Sequence, residues 1–135
     1  MRAYGHRENA ALSALRKALN GHTPGKDELK LLHLDPGDAW LCFELCECRN
    51  ERTLPVDYMY ATLNASFPQM VYAVLHQEKI VGILRTREQT PYSQPLLKSF
   101  GDTVSRMGYC AGLSNPFTQL TQLQDYLRQA VYALE

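Results

Sequence analysis

Two β-rich runs, Met70-Val-Tyr-Ala-Val-Leu-His76 and Lys79-Ile-Val-Gly-Ile-Leu-Arg85, are separated by only Gln77-Glu78. Two residues leave no room for a crossover, so the runs must pair as an antiparallel hairpin. Every other element has to be fitted around that pair. The tip is unusual, because Gln-Glu lacks the Gly or Asn that the commonest two-residue turns prefer. Loop length therefore fixes the pairing and leaves the turn geometry open.

Upstream, residues 39–47 alternate as a strand. Leu41, Phe43 and Leu45 take one face, and Trp40, Cys42, Glu44 and Cys46 take the other. Both faces are largely apolar, which suits a central strand covered on both sides. Downstream, Tyr109-Cys-Ala-Gly-Leu-Ser114 reads as a short strand that stops at Asn115-Pro116. The remainder, 118–135, is amphipathic. Leu120, Leu123, Leu127, Ala130 and Leu134 recur at steps of three and four and line one helical face. Thr118 is its expected N-cap.

Four further helices fill the gaps. Residues 8–20 carry Leu12, Leu15 and Leu19 at helical spacing and stop at Asn20-Gly21. Arg7, Arg16 and Lys17 form the solvated side. A short helix over 27–33 turns Leu29 and Leu32 inward and ends before the turn Asp35-Pro-Gly-Asp38. Arg49-Asn-Glu-Arg52 is charged loop. Leu54-Pro55 opens a helix to about residue 65, with Val56, Met59, Tyr60, Leu63 and Phe67 as its apolar stripe and Pro68 as its stop. Residues 95–107 place Leu96, Phe100, Val104 and Met107 inward, with Ser93 as the expected cap and Gly108 as the end. Gly101, mid-helix, suggests close approach to the sheet. The order is helix, short helix, strand, helix, strand, strand, helix, strand, helix. It predicts an α/β (α+β) sandwich, a mainly antiparallel sheet flanked by helices in the ferredoxin-like or cyclase-like arrangement.

The 135 residues suffice for one domain with a real core. Lys+Arg and Asp+Glu balance at 14 each, so charge gives no reason to expect nucleic acid or an anionic membrane as a direct partner. No apolar run reaches the ~20 residues of a membrane span. Met1-Arg-Ala-Tyr-Gly-His6 lacks a signal-peptide core, and a cytoplasmic protein is expected. Cys42, Cys46 and Cys48 sit at even positions in or beside one strand and project to one side, with Cys110 far downstream. Cys-x-Cys with His33 and His76 remote is not a zinc spacing, so all four thiols are expected to act as small apolar residues, with no metal.

The order also resembles GGDEF-type nucleotide cyclases, and most closely the degenerate GGDEF-like central domain of PucR/CdaR-type bacterial transcriptional regulators. The resemblance covers roughly residues 8–135. It rests on the strand end Gly112-Leu113-Ser114 and the helix pattern Leu120, Leu123, Tyr126, Gln129-Ala130 and Ala133-Leu134. It implies a linker or signalling helix over 1–25 and a degenerate GGDEF-like domain over 26–135, cut from a larger regulator. A sensor would precede it, and a DNA-binding helix-turn-helix would follow. The implied role is a non-catalytic regulatory and dimerisation domain, with self-association, without a cofactor, and touching DNA only through the missing helix-turn-helix. The alternative is a nucleotide- or small-metabolite-binding domain that keeps a cyclase-like pocket.

The residues depart from the catalytic pattern. The signature belongs at the hairpin tip, where Gly lets backbone approach the nucleotide and acids hold metal. Here the tip is His76-Gln77-Glu78-Lys79. Glu44 and Glu47 fall on opposite faces of their strand and cannot converge on one ion. His76 with Glu78 as acid and base, and Arg85 with Arg87 as an anion clamp, are both expected to be solvated surface instead. Asn115 is explained by an Asx turn. Tyr58, Tyr60, Tyr72, Tyr92, Tyr109, Tyr126 and Tyr132 are expected mostly at the core rim. No residue is assigned a catalytic, cofactor-binding or metal-binding role.

Overall fold

The computed structural model of the chain describes residues 2–48 and 55–134, with side chains from residue 10 onward. The expected loop at 49–52, the Leu54 start of a helix and the Arg7 side chain lie outside the described residues. Four strands form the sheet: β1 (Asp38–Glu47), β2 (Val71–His76), β3 (Lys79–Arg87) and β4 (Tyr109–Leu113). Among the described residues five helices accompany them: α1 (Arg2–Leu19), α2 (Lys26–Leu31), α3 (Val56–Ser66), α4 (Pro95–Arg106) and α5 (Leu123–Leu134).

The spatial order is β2-β3-β1-β4, with every neighbouring pair antiparallel. Strands β1 to β4 with α3 and α4 thus make a β-α-β-β-α-β unit in which β1 inserts between β3 and β4. The two-faced apolar pattern of β1 has its cause here: residues 39–43 are all buried, because helices cover both sides. On one face Met59 and Leu63 of α3 and Phe100 and Val104 of α4 pack on Leu41, Phe43 and Leu45. Phe43 and Phe100 meet with ring centroids 4.8 Å apart. On the other face Ala11, Ala14, Leu15 and Ala18 of α1 and Leu123 of α5 cover Trp40, Cys42, Val74 and Ile83. Gly82 lies under the Phe43 ring, where an added Cβ would stand 2.6 Å from the ring edge.

The hairpin tip resolves as a turn with both central residues left-handed, Gln77 at φ 51° and Glu78 at φ 68°. That is the type I′ signature, adopted without glycine because its twist matches the strands. Side chains with a Cβ are disfavoured there. Gln77→Asn with Glu78→Gly should therefore stabilise the fold by about 1–2 kcal/mol. An unchanged denaturation midpoint would contradict this reading of the turn.

Several local expectations change. Helix α1 begins at Arg2 instead of residue 8. Leu29 is 37% exposed, while Leu32 is buried, because α2 ends before its second turn is complete. Gln94, not Ser93, is the N-cap of α4, and no side chain caps it. A Cβ at Gly101 would meet nothing within 4 Å, so that glycine marks no close approach. Thr118 does not cap α5. A 3₁₀ turn over Leu120–Gln122 intervenes, with Gln119 at its start. The α5 face is otherwise as patterned, with Leu123 and Ala130 fully buried and Leu127 and Leu134 half-buried. Tyr60, Tyr72, Tyr109 and Tyr126 are buried or half-buried, as expected of most of the tyrosines, while Tyr58, Tyr92 and Tyr132 are exposed. No helix among the described residues is long and apolar enough to cross a membrane.

Candidate functional site

The sheet buries its middle on both faces, so chemistry can gather only at its margins. Three such places contain polar residues brought together from separate elements.

The first is a cavity of about 280 Å³ between α1, α2, the end of α3 and β2. Ala11 and Leu12 of α1, Leu31 of α2 and Val71 of β2 give it apolar walls. Lys30, His33 and Arg85 also line it, with Asn64, Gln69 and Tyr72, and among the described residues no carboxylate lines it. Its volume lies near the lower end of small-molecule pockets. Arg85 is not the solvated surface residue the sequence suggests. Its Nη2 donates to the His33 carbonyl at 3.0 Å, Nη1 lies 3.8 Å from Asp38 Oδ2, and its guanidinium sits 4.7 Å from the Trp40 ring centroid. These contacts hold the cation in place from behind. Arg87 instead donates to Asp38 Oδ1 at 2.7 Å, outside the cavity, so the two arginines do not form a joint clamp. Asn64 is fully engaged: Nδ2 donates to the Tyr60 and Ala73 carbonyls, and Oδ1 accepts from Ala73 N–H.

The second place is the hairpin end of the sheet, on the face under α1 and α5. The register sets His76 of β2 opposite Lys79 of β3, and Cys46 of β1 opposite Cys110 of β4. Glu44 belongs to the next rung. Burial pushes its carboxyl above the usual carboxylate range, and the charges of Lys79 and His76 oppose that shift only in part. His76 therefore faces Glu44 through space, not Glu78, which is at the exposed tip. Because the folded-state pKa of Glu44 is raised, the folded chain binds its proton more tightly than the unfolded chain. Its contribution to stability is complete below the ordinary carboxylate pKa and is lost as pH rises through the raised value. Glu44→Gln should remove that part of the fall, read as denaturation midpoints on either side of the carboxylate range. Parallel pH curves for the two proteins would contradict it.

The third place is a pair of cysteines at the edge of the sheet. Cys48 and Cys110 are joined by a disulfide across the β1–β4 end, with Cα atoms 5.8 Å apart. They are not buried thiols, for Cys110 is exposed and Cys48 half-buried. Cys42 alone behaves as the small apolar residue expected of all four: it is fully buried, and burial, with Glu44 nearby, pushes its thiol pKa far up. Only the cross-strand register could have revealed the bridge, because Cys48 and Cys110 are 62 residues apart. Among the described residues no group of three or more His, Cys, Asp or Glu could hold a metal ion. Glu44 and Glu47 lie on opposite faces of β1 as the alternation required, and Asn115 Oδ1 accepts from the Tyr92 hydroxyl at 3.4 Å. An open depression of about 420 Å³ beside Asp35, Asp38 and Glu88 is acidic and shallow.

No protein-family model, curated protein or solved structure matches the chain.

Proposed function

We propose that this domain is a non-catalytic regulatory module, of the kind found in PucR/CdaR-type regulators, that responds to a small organic anion. The observation that carries the reading is the cavity between α1, α2 and β2. It joins apolar walls to Lys30, His33 and a pre-positioned Arg85, with no carboxylate among its described lining side chains. Such a lining favours a compact ligand with an apolar body and one or two carboxylates. Ala11 and Leu12 of α1 form part of the wall, so an occupied cavity bears directly on the first helix. Helix α5 packs against α1 through Gln124, whose Nε2 donates to the Leu19 carbonyl at 3.1 Å. A shift of α1 is thereby felt at α5. On this reading two copies associate, and DNA is reached only through a separate helix-turn-helix domain. The β-α-β-β-α-β core fits both readings, and the hairpin tip without a glycine pair or converging acids supports regulation over cyclase chemistry.

The experiment is a thermal-shift screen of the whole chain against aliphatic and aromatic mono- and dicarboxylates. A ligand at a hundred times its Kd should stabilise the fold by about 2.7 kcal/mol, a rise of a few degrees. Lys30→Glu should abolish that rise while leaving the unliganded melting temperature in place, because Lys30 is largely exposed, at 79%. A rise that survives Lys30→Glu would move the site elsewhere. Turnover of GTP with Mg²⁺ or Mn²⁺ would overturn the non-catalytic reading. A chain that binds none of these anions and stays monomeric at every concentration would remove the regulatory one.

A further inference from the structure

Register, not sequence spacing, decides which cysteines can meet. Cys46 lies directly across from Cys110 in the β1–β4 pairing. The bond from Cys48 N–H to the Gly108 carbonyl, at 2.9 Å, shows which rungs of this ladder exchange backbone hydrogen bonds. Counting two residues along each strand puts Cys46 and Cys110 on another rung of that type. Facing Cα atoms on such a rung stand about 5.5 Å apart. The Cys48–Cys110 pair, one rung off along the diagonal, stands at 5.8 Å. Both separations lie within the reach of a disulfide. Cys110 therefore has two partners at nearly equal range, one bonded and one free. The free one, Cys46, is half-buried and not sealed in the core, and Cys110 is exposed. Cys42, the other free thiol, is buried under the helices and lies two rungs away from Cys110.

We infer that Cys46, Cys48 and Cys110 form a thiol–disulfide exchange site in which Cys110 is shared between two partners. The Cys46 thiolate attacks Cys110 Sγ. The Cys46–Cys110 bond forms as the Cys48–Cys110 bond breaks, and the electron pair leaves on Cys48 Sγ. Cys48 takes up a proton equivalent to the one Cys46 released. One disulfide is consumed and one is made, so the step needs no oxidant or reductant. Its effect is positional. With Cys48 bonded, the end of β1 is tied to the edge strand. With Cys46 bonded, residue 48 is released and the tie moves one rung into the sheet. That rung adjoins Gly112, on which the last turn of α5 rests through Ala130 and Leu134. The exchange thus takes place beside the end of α5, the helix that feels a shift of α1 in the proposed function, although the chemistry itself does not depend on that reading. A bond of this kind persists in oxidising surroundings and is transient and regulatory where thiols are kept reduced.

The sequence supplies a convenient assay. Glutamyl endopeptidase cleaves between Glu47 and Cys48, so Cys46 and Cys48 part into different peptides. The full chain, oxidised with its single bridge, is incubated at mildly alkaline pH without added thiol, quenched with acid, alkylated under denaturing conditions, digested and read by mass spectrometry. At the start Cys110 should be linked to Cys48 and the label found on Cys46, with Cys42 labelled throughout. With time a Cys46–Cys110 peptide should appear as label moves to Cys48. Cys48→Ser, oxidised with hydroxyethyl disulfide, should form Cys46–Cys110 directly, while Cys46→Ser should show no movement of label. If Cys48→Ser does not fold, the time course of the unmutated chain decides. Label that stays on Cys46 throughout, or linkage that reaches Cys110 from Cys42, overturns the proposal. So does a Cys48→Ser chain that folds and yields only mixed disulfides with the reagent.

Discussion

Gly112→Ala should lift α5 from the sheet and remove most of the stability of the domain. The β-carbon would be driven into the Ala130 backbone carbonyl and would stand 2.7 Å from Leu134 Cγ. A backbone carbonyl within a helix cannot turn aside as a flexible side chain can. The helix must shift as a body, and Leu123 and Ala130 leave the core with it. Overpacking alone costs about 1–3 kcal/mol, and losing buried α5 contacts adds a similar amount. Against the 5–15 kcal/mol that typically holds a domain together, the sum approaches unfolding. Chemical denaturation of the variant should show a midpoint far below that of the parent chain, with reduced helical circular dichroism before the transition. A change under 1 kcal/mol would mean that α5 is not seated on Gly112.

Asn64→Ala should be the second most damaging change, for a different reason. β2 is an edge strand, and the backbone groups of Ala73 point away from β3. Asn64 satisfies both, accepting from Ala73 N–H at 2.9 Å and donating to Ala73 C=O at 2.8 Å. One side chain thus replaces a neighbouring strand in the middle of the edge, where a bare edge would invite pairing with another chain. Alanine leaves two peptide groups unpaired in a part-buried place, at about 1–3 kcal/mol each. It also uncovers the edge. Lower stability should come with concentration-dependent association, seen by light scattering. Asn64→Asp separates the effects, because it keeps the acceptor for Ala73 N–H and loses the donor. If Asn64→Ala destabilises without association, something other than Asn64 guards the edge.

The architecture was legible because it follows from periodicity and loop length. The two-residue connection forced the hairpin, and Trp40 to Cys46 declared a strand with two buried faces. The order of elements then led to the β-α-β-β-α-β unit. What could not be read depends on which residues become neighbours across strands. The Cys48–Cys110 bridge, the approach of His76 and Lys79 to Glu44, and the anchoring of Arg85 by His33 and Asp38 join segments distant in sequence. Helix ends failed for a local reason. Ser93 and Thr118 are good capping types, but the chain enters α4 at Gln94 and passes through a 3₁₀ turn before α5. Capping preference is worth about 1 kcal/mol, and tertiary packing overrides it.

The insertion of β1 between β3 and β4 also governs how the chain must be born. Residues 38–45 of β1 pair with 80–87, and residues 43–47 pair with 109–113. As synthesis proceeds from the N-terminus, β1 emerges with apolar side chains on both sides and waits for partners made much later. The hairpin of β2 and β3 can close quickly, but it becomes part of the domain only when β1 docks on it. The interval before β4 arrives is when β1 is most open to pairing with a second nascent chain. A sheet that is well protected once complete is therefore assembled from its least protected strand first.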